Sequence, residues 1–367
     1  MIGLKEIQRR KLQFALIALV VTLIAYLVLM INGLGIGLNK QAGSALLAFD
    51  ADGIAYASSS GLSVIRSEFA SGVVDDISSA PGVTAAAPLG YLSVNTENAA
   101  GDVKAVALLG YEPGQLGEPD VLSGRTLASG DVRGVLADAK FMESAGLSVG
   151  DTLTIINRLQ TYDFTIVGEV HEGYFFFQPV VYMLLDTLRE VKYGTDAPGT
   201  PLASIVLVKG KNLVGTTGNG YEIVSKQTAF ANIEGVKGQQ QTVQALRLFG
   251  FLIGGMVIGI FFYVLTLQKV QQLGTLKALG AGNGFLFAQM LLQVMTIIVL
   301  GALVATGAAW GTYVLLSGLP QAVPISFTLS TFLITSGLFI VFGLIGLLFS
   351  LRKVGRIDPI IAIGQQQ

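Results

Sequence analysis

The sequence predicts an α-helical membrane protein with four transmembrane helices and an α+β extracytoplasmic domain inserted between helices 1 and 2. The composition is the first reason: the 367 residues are 52% hydrophobic and 13% charged, whereas charged residues make up roughly a quarter of soluble domains. The second is the charge distribution, because residues 40–240 hold 22 acidic and 13 basic residues and the remainder holds 2 and 10. The third is a set of long uncharged apolar runs outside residues 40–240.

The first apolar run has no charged residue between Lys11 and Lys40. Crossing a bilayer takes roughly 20 apolar residues, so we expect transmembrane helix 1 at residues 13–39. A cleaved signal peptide is the alternative, but this run exceeds the length of a signal peptide's apolar core. Residues 1–12 place Leu4 and Ile7 on one helical face, which predicts an N-terminal interfacial helix. Simple juxtamembrane charge explains the basic residues there equally well.

Three more transmembrane helices are predicted at residues 246–268, 284–316 and 328–351. The last two belong to one uncharged stretch, which a Ser-Gly-Leu-Pro sequence at residues 317–320 divides, since glycine and proline interrupt helices. A cytoplasmic coupling loop at 269–283 and a cytoplasmic tail at 352–367 complete the chain.

Basic residues set the expected orientation. They precede helix 1, lie between helices 2 and 3, and follow helix 4, so four spans bring all three places to one side. Positively charged flanks stay in the cytoplasm. We therefore expect a multi-pass protein of the cytoplasmic (plasma) membrane, with both termini cytoplasmic, the large domain extracellular and membrane lipid around the helices.

Residues 40–240 alternate short β-rich runs with turn residues, which predicts a mixed sheet with helices at about 61–79 and 138–145. The expected strands are Tyr91–Asn95, Lys104–Leu109, Thr152–Ile156, Phe164–Val167 and Ser204–Val208. The aromatic run at 174–177 fits either a buried strand edge or interface plug, or an apolar surface that touches a lipophilic substrate. We expect His171 to be a hydrogen-bonded structural residue.

The sequence lacks the residues and motifs that several kinds of active or binding site require. The chain has no cysteine and one histidine, so a cysteine nucleophile and a cysteine or histidine metal cluster are excluded. The sequence holds no phosphate-binding loop and no hydrolase, metalloprotease or dinucleotide motif. The basic residues form no single large patch, which argues against nucleic acid as a partner. The prediction is a protein that is not an enzyme and has no intrinsic cofactor or metal, with any energy supplied by another polypeptide.

The coupling loop carries the clearest local pattern. A helical stretch running to about Leu279 and closed by Gly280 predicts a short helix on the cytoplasmic side. The spacing of Leu273, Leu276 and Leu279, with Lys277, favours a face that docks into a partner's groove. An ordinary solvated connector is the alternative.

Small residues recur every four positions at Gly255 and Gly259, and again at Gly301, Ala305 and Ala309. Such faces allow close helix packing. They fit packing within one chain, or against a second copy of the chain.

The order of one span, a domain of about 200 residues and three more spans resembles the MacB/FtsX type of ABC transporter permease. The segment from Gly274 to Ala281 resembles the family's G-x-L-K-A-L-G-A sequence, although Gln272 stands where the family commonly has an acid. Residues 81–83, 109–113, 123–125 and 149–153 resemble the family's outer domain. The resemblance implies that ATP is bound by a separate ABC ATPase subunit, which this chain contacts through Leu273, Gly274, Leu276, Lys277, Leu279 and Gly280.

The N-terminal part is similar to the haem-exporter permeases of the HrtB family, through Leu4–Ile7, Lys11-Leu12, Tyr26-Leu27, Gly33-Leu34 and Gly37-Leu38. The resemblance implies a homodimer with an HrtA-like ATPase and haem as the transported substrate. Haem iron takes His, Met, Tyr or thiolate ligands. Candidate haem-binding residues, including a stacking phenylalanine, are therefore Met30, Phe49, Tyr174, Tyr221, Glu222 and Met256. Export of peptides, lipoproteins or lipids, and control of a cell-wall hydrolase without transport, stay open.

Overall fold

The computed structural model describes residues 11–97, 103–158, 160–171, 173–194, 199–317 and 323–351. The chain divides into two compact units: a bundle unit of Met1–Gly37 with Gln241–Gln367, and a sheet unit of Leu38–Gln240. The described helices are α1 (Lys11–Ala48), α2 (Ser71–Ser78), α3 (Ala139–Ala145), α4 (Leu185–Tyr193), α5 (Lys226–Ala231), α6 (Val236–Gln268), α7 (Val270–Ala278), α8 (Asn283–Ser317) and α9 (Leu329–Leu351). The predicted interfacial helix, except for its last two residues, and the cytoplasmic tail lie outside the described residues.

The sheet unit holds twelve described strands. They are β1 (Gly53–Ala57), β2 (Val83–Glu97), β3 (Val103–Tyr111), β4 (Val121–Gly124), β5 (Gly134–Asp138), β6 (Thr152–Asn157), β7 (Gln160–Val170), β8 (Tyr174–Phe175), β9 (Gln178–Leu184), β10 (Ile205–Gly210), β11 (Thr217–Gly218) and β12 (Tyr221–Ser225). Each of the five predicted strands overlaps one of these. β3 pairs with β9 and β5 with β7 in parallel, whereas the other pairs are antiparallel, so the sheet is mixed as predicted.

Six of these strands close on themselves. β2 pairs with β3, β3 with β9, β9 with β5, β5 with β7, β7 with β6, and β6 returns to β2. The buried side chains of this ring include Val106, Leu108, Ile155, Phe164 and Ile166. Because a closed ring has no free edge within it, this part of the sheet offers little backbone for pairing with another chain.

The first half of β2 continues into a wing of four strands, in the order β10, β1, β12 and β11. The helix predicted at 61–79 is shorter than expected, because only Ser71–Ser78 is helical. Residues before it form turns. There the buried Ser67 hydroxyl accepts a hydrogen bond from the Ala57 amide at 3.0 Å, and Phe69 pairs with Ala203. Serine and aspartate side chains compete with helical backbone bonds in this way.

Helix α1 is interrupted at Gly43, whose backbone is extended (φ −174°, ψ 40°). The two carbonyl groups before the break, at Gln41 and Ala42, accept hydrogen bonds from the amides of Phe177 and Phe176, both at 2.9 Å. Phe176 and Phe177 form the two-residue turn between β8 and β9, and both have positive φ (50° and 62°). This turn geometry normally selects asparagine or glycine, so the backbone of the two phenylalanines is strained. The hydrogen bonds from their amides to the carbonyls at the helix break offset the cost of that strain.

The bundle unit contains three described helices long and apolar enough to cross a membrane: α1, α6 and Gly284–Leu316 within α8. Helix α9 is apolar over 23 residues, and its side chains are described as far as Ile345. The fourth span thus stays a prediction.

The small residues of the bundle pack inside the chain. A side chain at Gly301 would meet Val21 of α1 at 2.9 Å, and one at Gly255 would meet the Phe342 backbone of α9 at 3.1 Å. Ala305 and Ala309 are fully buried in the same core. These contacts favour the first of the two interpretations, packing within one chain.

Candidate functional site

The predicted coupling segment folds as helix α7. Its end is a hydrogen-bonded cap: the Gly280 amide donates to the Lys277 carbonyl at 3.1 Å, and the Ala281 amide donates to the Leu276 carbonyl at 2.9 Å. Gly280 has φ +95°, which glycine adopts without a steric penalty. Leu276 and Ala281 both pack against the bundle core, as the apolar contact of this capping motif requires.

The two sides of α7 differ. Gly274 is buried and Leu276 is half-buried against the bundle, whereas Leu279 is 80% exposed. The side chain of Leu273 lies outside the described set. Leu276 therefore belongs to the chain's own core, and among the described leucines of this segment Leu279 is the one that stays available to a partner.

Helix α7 is joined to α6 by one residue, Lys269. Lys269 is 9% exposed. Its Nζ donates a hydrogen bond to Gln293 Oε1 of α8 at 2.9 Å and lies 5.8 Å from the centre of the Phe14 ring of α1. The preceding residue, Gln268, accepts a hydrogen bond from Gln13 Nε2 of α1 at 2.9 Å. The junction thus contacts both neighbouring helices, and the sequence pattern gave no sign of this because the lysine looked like one more cytoplasmic charge.

Two predicted haem-binding residues lie in the bundle unit. Met30 of α1 is half-buried and packs against the bundle core. On the same face, Tyr26 bonds Thr312 of α8 at 3.0 Å, and Gly33 contacts Phe327. Met256 of α6 is 67% exposed. Met30 therefore lies on a face of α1 that packs against the bundle core, whereas Met256 is exposed.

The other four candidates lie in the sheet unit. Phe49 is 5% exposed in one core cluster and Tyr221 is 6% exposed in another, so the fold does not bring these two together. Glu222 and Tyr174 are half-buried. The Tyr174 amide donates to Ser44 Oγ at 3.0 Å, which gives this residue a structural contact with α1.

The aromatic run at 174–177 is divided between the core and the surface. Phe175 is buried, with its ring centre 5.3 Å from that of Tyr91 and 4.8 Å from that of Phe176. Burial raises the pKa of Tyr91 to about 12, so its hydroxyl stays neutral. Phe177 is exposed. The buried-edge interpretation thus fits Phe175.

His171 differs from the prediction. It is exposed at the end of β7, and among the described residues no hydrogen bond to its imidazole is formed. No group of three His, Asp or Glu residues that could hold a metal occurs in the described part of the chain.

Sequence inspection missed an aromatic cluster in the bundle unit. Phe327 and Phe332 stack at 4.7 Å between ring centres; Trp310 lies 6.1 Å from Phe332, and Tyr313 lies 6.0 Å from Phe327. The residues come from α8, α9 and the segment before α9, so their spacing along the chain gives no signal. Tryptophan and tyrosine of this kind are common where helices meet the membrane surface.

Comparisons with known proteins match most of the bundle unit after α1 to a permease family. Residues 245–359 match the family described as FtsX-like permease C-terminal. The chain is 32% identical over 145 residues to a hemin transport system permease protein, HrtB, of Staphylococcus haemolyticus. That match spans 40% of this chain and 40% of the relative. The chain is therefore similar to FtsX-like permeases over residues 245–359, and to HrtB over 40% of its length.

A second relative extends along nearly the whole chain. An uncharacterized ABC transporter permease of Mycobacterium tuberculosis (strain H37Rv) is 23% identical over 367 residues, which is 99% of this chain and 98% of the relative. Among solved structures, the periplasmic region of MacB from Actinobacillus actinomycetemcomitans is 16% identical with a TM-score of 0.36, and it covers 51% of this chain and 94% of that one.

Proposed function

We propose that the chain is the membrane subunit of an ATP-driven exporter, that a separate ABC ATPase supplies the energy, and that the exported substrate is haem. The observation that carries the proposal is the coincidence of two matches: the FtsX-like permease family over residues 245–359 and HrtB at 32% identity. The described helices fit a membrane subunit by length and composition.

The ATPase docks, in this proposal, on the exposed side of α7. Leu279 supplies the apolar contact, because Leu276 is already packed on the bundle. Full burial of an exposed leucine side chain contributes about 1.5–3 kcal/mol. The HrtA-like identity of the ATPase, and a pairing of two permease copies, also rest on the relatives.

Haem would meet the bundle from the lipid, because its ring is apolar and flat. The proposed first contact is the face of α1 around Met30, which is half-buried and packs against the bundle core. Phe49 and Tyr221 have a weaker claim, since both are buried in the sheet unit. Tyr174, Glu222 and Met256 stay as predicted contacts.

The proposal is tested in cells and in vesicles. Deletion of the gene should sensitise the cells to added haem and leave their sensitivity to peptide antibiotics unchanged. The purified permease–ATPase complex should shift the haem absorption band, and in vesicles whose ATPase faces outward it should move haem from the membrane into the lumen when ATP is added. Unchanged haem sensitivity together with no spectral shift would exclude haem as the substrate.

A matched pair of variants tests the ATPase contact. Leu279→Asp places a charge in the proposed apolar contact, so it should weaken ATPase copurification by about tenfold or more and abolish haem resistance. Val214→Asp makes the same change at an exposed valine of the sheet unit and should leave both intact. Equal copurification of the two variants would show that α7 does not dock through Leu279.

A further inference from the structure

The bundle unit contains one arginine whose charge has no acidic counterpart in the described structure. Arg247 lies in α6, and its Nε is buried without a hydrogen-bond partner among the described residues. The whole sequence of the bundle unit holds only two acidic residues, Glu6 and Asp358, and both fall outside the described residues. A charged group inside a transmembrane bundle is costly unless it is paired.

Arg247 faces helix α1. A side chain at Gly35 of α1 would meet Val243 Cγ1 at 2.6 Å and Arg247 Nη2 at 2.8 Å; further along, Gly250 faces Val28 at 3.1 Å and Gly254 faces Ile24 at 3.0 Å. These contacts define the α1–α6 seam. The exposed residues of α6, such as Phe249, Ile253 and Met256, lie elsewhere on the helix.

Glycine at position 35 makes room for the guanidinium. The Cβ of any larger residue there would lie 2.8 Å from Nη2, so the guanidinium can lie this close to α1 only where α1 has a glycine. Asn32, one turn before Gly35, is buried on the same face of α1, and its Nδ2 donates to the Val28 carbonyl at 2.9 Å. The seam therefore combines the buried Asn32 amide with a guanidinium whose Nε has no partner among the described residues, next to the aliphatic side chains of Val28 and Val243.

We propose that Arg247 in the α1–α6 seam binds a carboxylate of the transported molecule. A guanidinium offers two parallel N–H donors that match a carboxylate. Haem carries two propionates on one edge of an apolar ring, so one propionate at Arg247 would orient the ring along the helices. This inference rests on the proposed function and adds to it the group that recognises the polar edge of the substrate.

The same donors would also suit a lipid phosphate, since both anions present paired oxygens. The position of Arg247 on the seam favours the substrate, because its guanidinium contacts α1 instead of standing among the exposed side chains of α6. Esterified haem separates the two sources: haem dimethyl ester keeps the ring and the iron but has no negative carboxylate.

The experiment measures binding of haem and of haem dimethyl ester to the permease–ATPase complex in nanodiscs of phosphatidylcholine. The wild-type protein should bind haem about tenfold or more tightly than the ester, as expected for a charge-assisted hydrogen bond. Arg247→Met should lower haem affinity to that of the ester and leave ester affinity unchanged. Arg247→Lys keeps the charge without the paired donors and should give an intermediate haem affinity.

The outcomes are distinct. Equal binding of haem and ester by the wild-type protein overturns the inference without any variant, even if haem is exported. Equal binding together with an Arg247-dependent loss of bound phosphatidylglycerol, added to the nanodiscs, assigns the site to a lipid phosphate and also overturns it. Binding of neither porphyrin contradicts the proposed function itself.

Discussion

Single glycines decide how closely the bundle packs. A side chain at Gly37 of α1 would overlap the Pro324 carbonyl, whereas Gly307 of α8 has no neighbour within 4 Å beyond its own helix. The Ser326 amide, close to this contact, also donates to the Gly33 carbonyl at 3.0 Å. The segment before α9 thus packs directly against the glycine backbone on one side of α1. A methyl group at Gly37 would displace this segment.

We expect Gly37→Ala to destabilise the protein by about 1–3 kcal/mol, the usual range for overpacking. Gly307→Ala should be neutral or slightly stabilising, since alanine is the better helix former. Thermal unfolding of the full chain in detergent measures both. Equal melting temperatures for the two variants would show that the segment before α9 does not lie on Gly37.

Asp131 gives the sheet unit a pH-dependent contact. Its carboxylate accepts bonds from Arg125 at 2.6 and 2.8 Å and from the Ala128 amide at 2.7 Å. The Arg125 hydrogen bond, followed by that of Ala128, lowers the pKa of Asp131 to about 2. A carboxyl whose pKa falls on folding stabilises the protein above its unfolded pKa of about 4, and this contribution is lost as pH drops from about 4 to 2.

Asp131→Asn should therefore lower the melting temperature by only about 2 °C at pH 7, because the pair is exposed and solvent screens it. The difference from the wild-type protein should shrink as the pH falls towards 2. Melting curves at several pH values measure it. A difference that stays constant down to pH 2 would assign the effect to lost packing and not to the charge.

At the scale of elements, the junction of α6 and α7 joins the proposed docking helix to the bundle. Lys269 contacts α8 through Gln293 and lies near Phe14 of α1, and the far end of α7 packs on the same core through Leu276. Because α7 is held at both ends, a force on Leu279 passes to α1 and α8 instead of bending a loose loop.

A double-mutant cycle tests this transmission. Lys269→Met and Gln293→Leu each remove one side of the Lys269–Gln293 hydrogen bond and should cost about 1–3 kcal/mol, whereas the double variant removes both groups and should recover most of that stability. Haem exported per ATP hydrolysed should stay low in all three. If the double variant regains both its stability and its haem export per ATP hydrolysed, Lys269 contributes only to packing and not to transmission.

Sequence patterns predicted an element well where that element is determined by residues close together in the chain. The closure of α7 at Gly280 and the strands around Tyr91 and Thr152 follow from turn glycines and β-rich runs. The helix expected at 61–79 failed because its first half uses serine side chains to form turns. The Phe176–Phe177 turn was not predictable, since its sequence contradicts its backbone and only the carbonyls of a distant helix explain it.

At the scale of the whole molecule, what sequence reasoning lacked was long-range pairing. The six-stranded ring closes because β6 returns to β2, a register fixed by burial across about 60 residues of chain. The prediction of haem contacts lacked the same long-range information. Phe49 and Tyr221 were selected by residue type, and the fold buries them in separate clusters. Arg247 was visible in the sequence as an isolated charge, but only its position opposite Gly35 gives it a role.

The orientation of the chain is the last prediction, and the absence of cysteine from the whole sequence makes it directly measurable. Val214 of the sheet unit and Leu279 after α7 are both exposed, so a single cysteine at either position is open to a membrane-impermeant maleimide. The basic flanks predict that Leu279 lies in the cytoplasm and Val214 outside. Val214→Cys should react in intact cells, and Leu279→Cys should react only after the cells are permeabilised. Reaction of Leu279→Cys in intact cells would reverse the orientation, and with it the side on which an ATPase could reach α7.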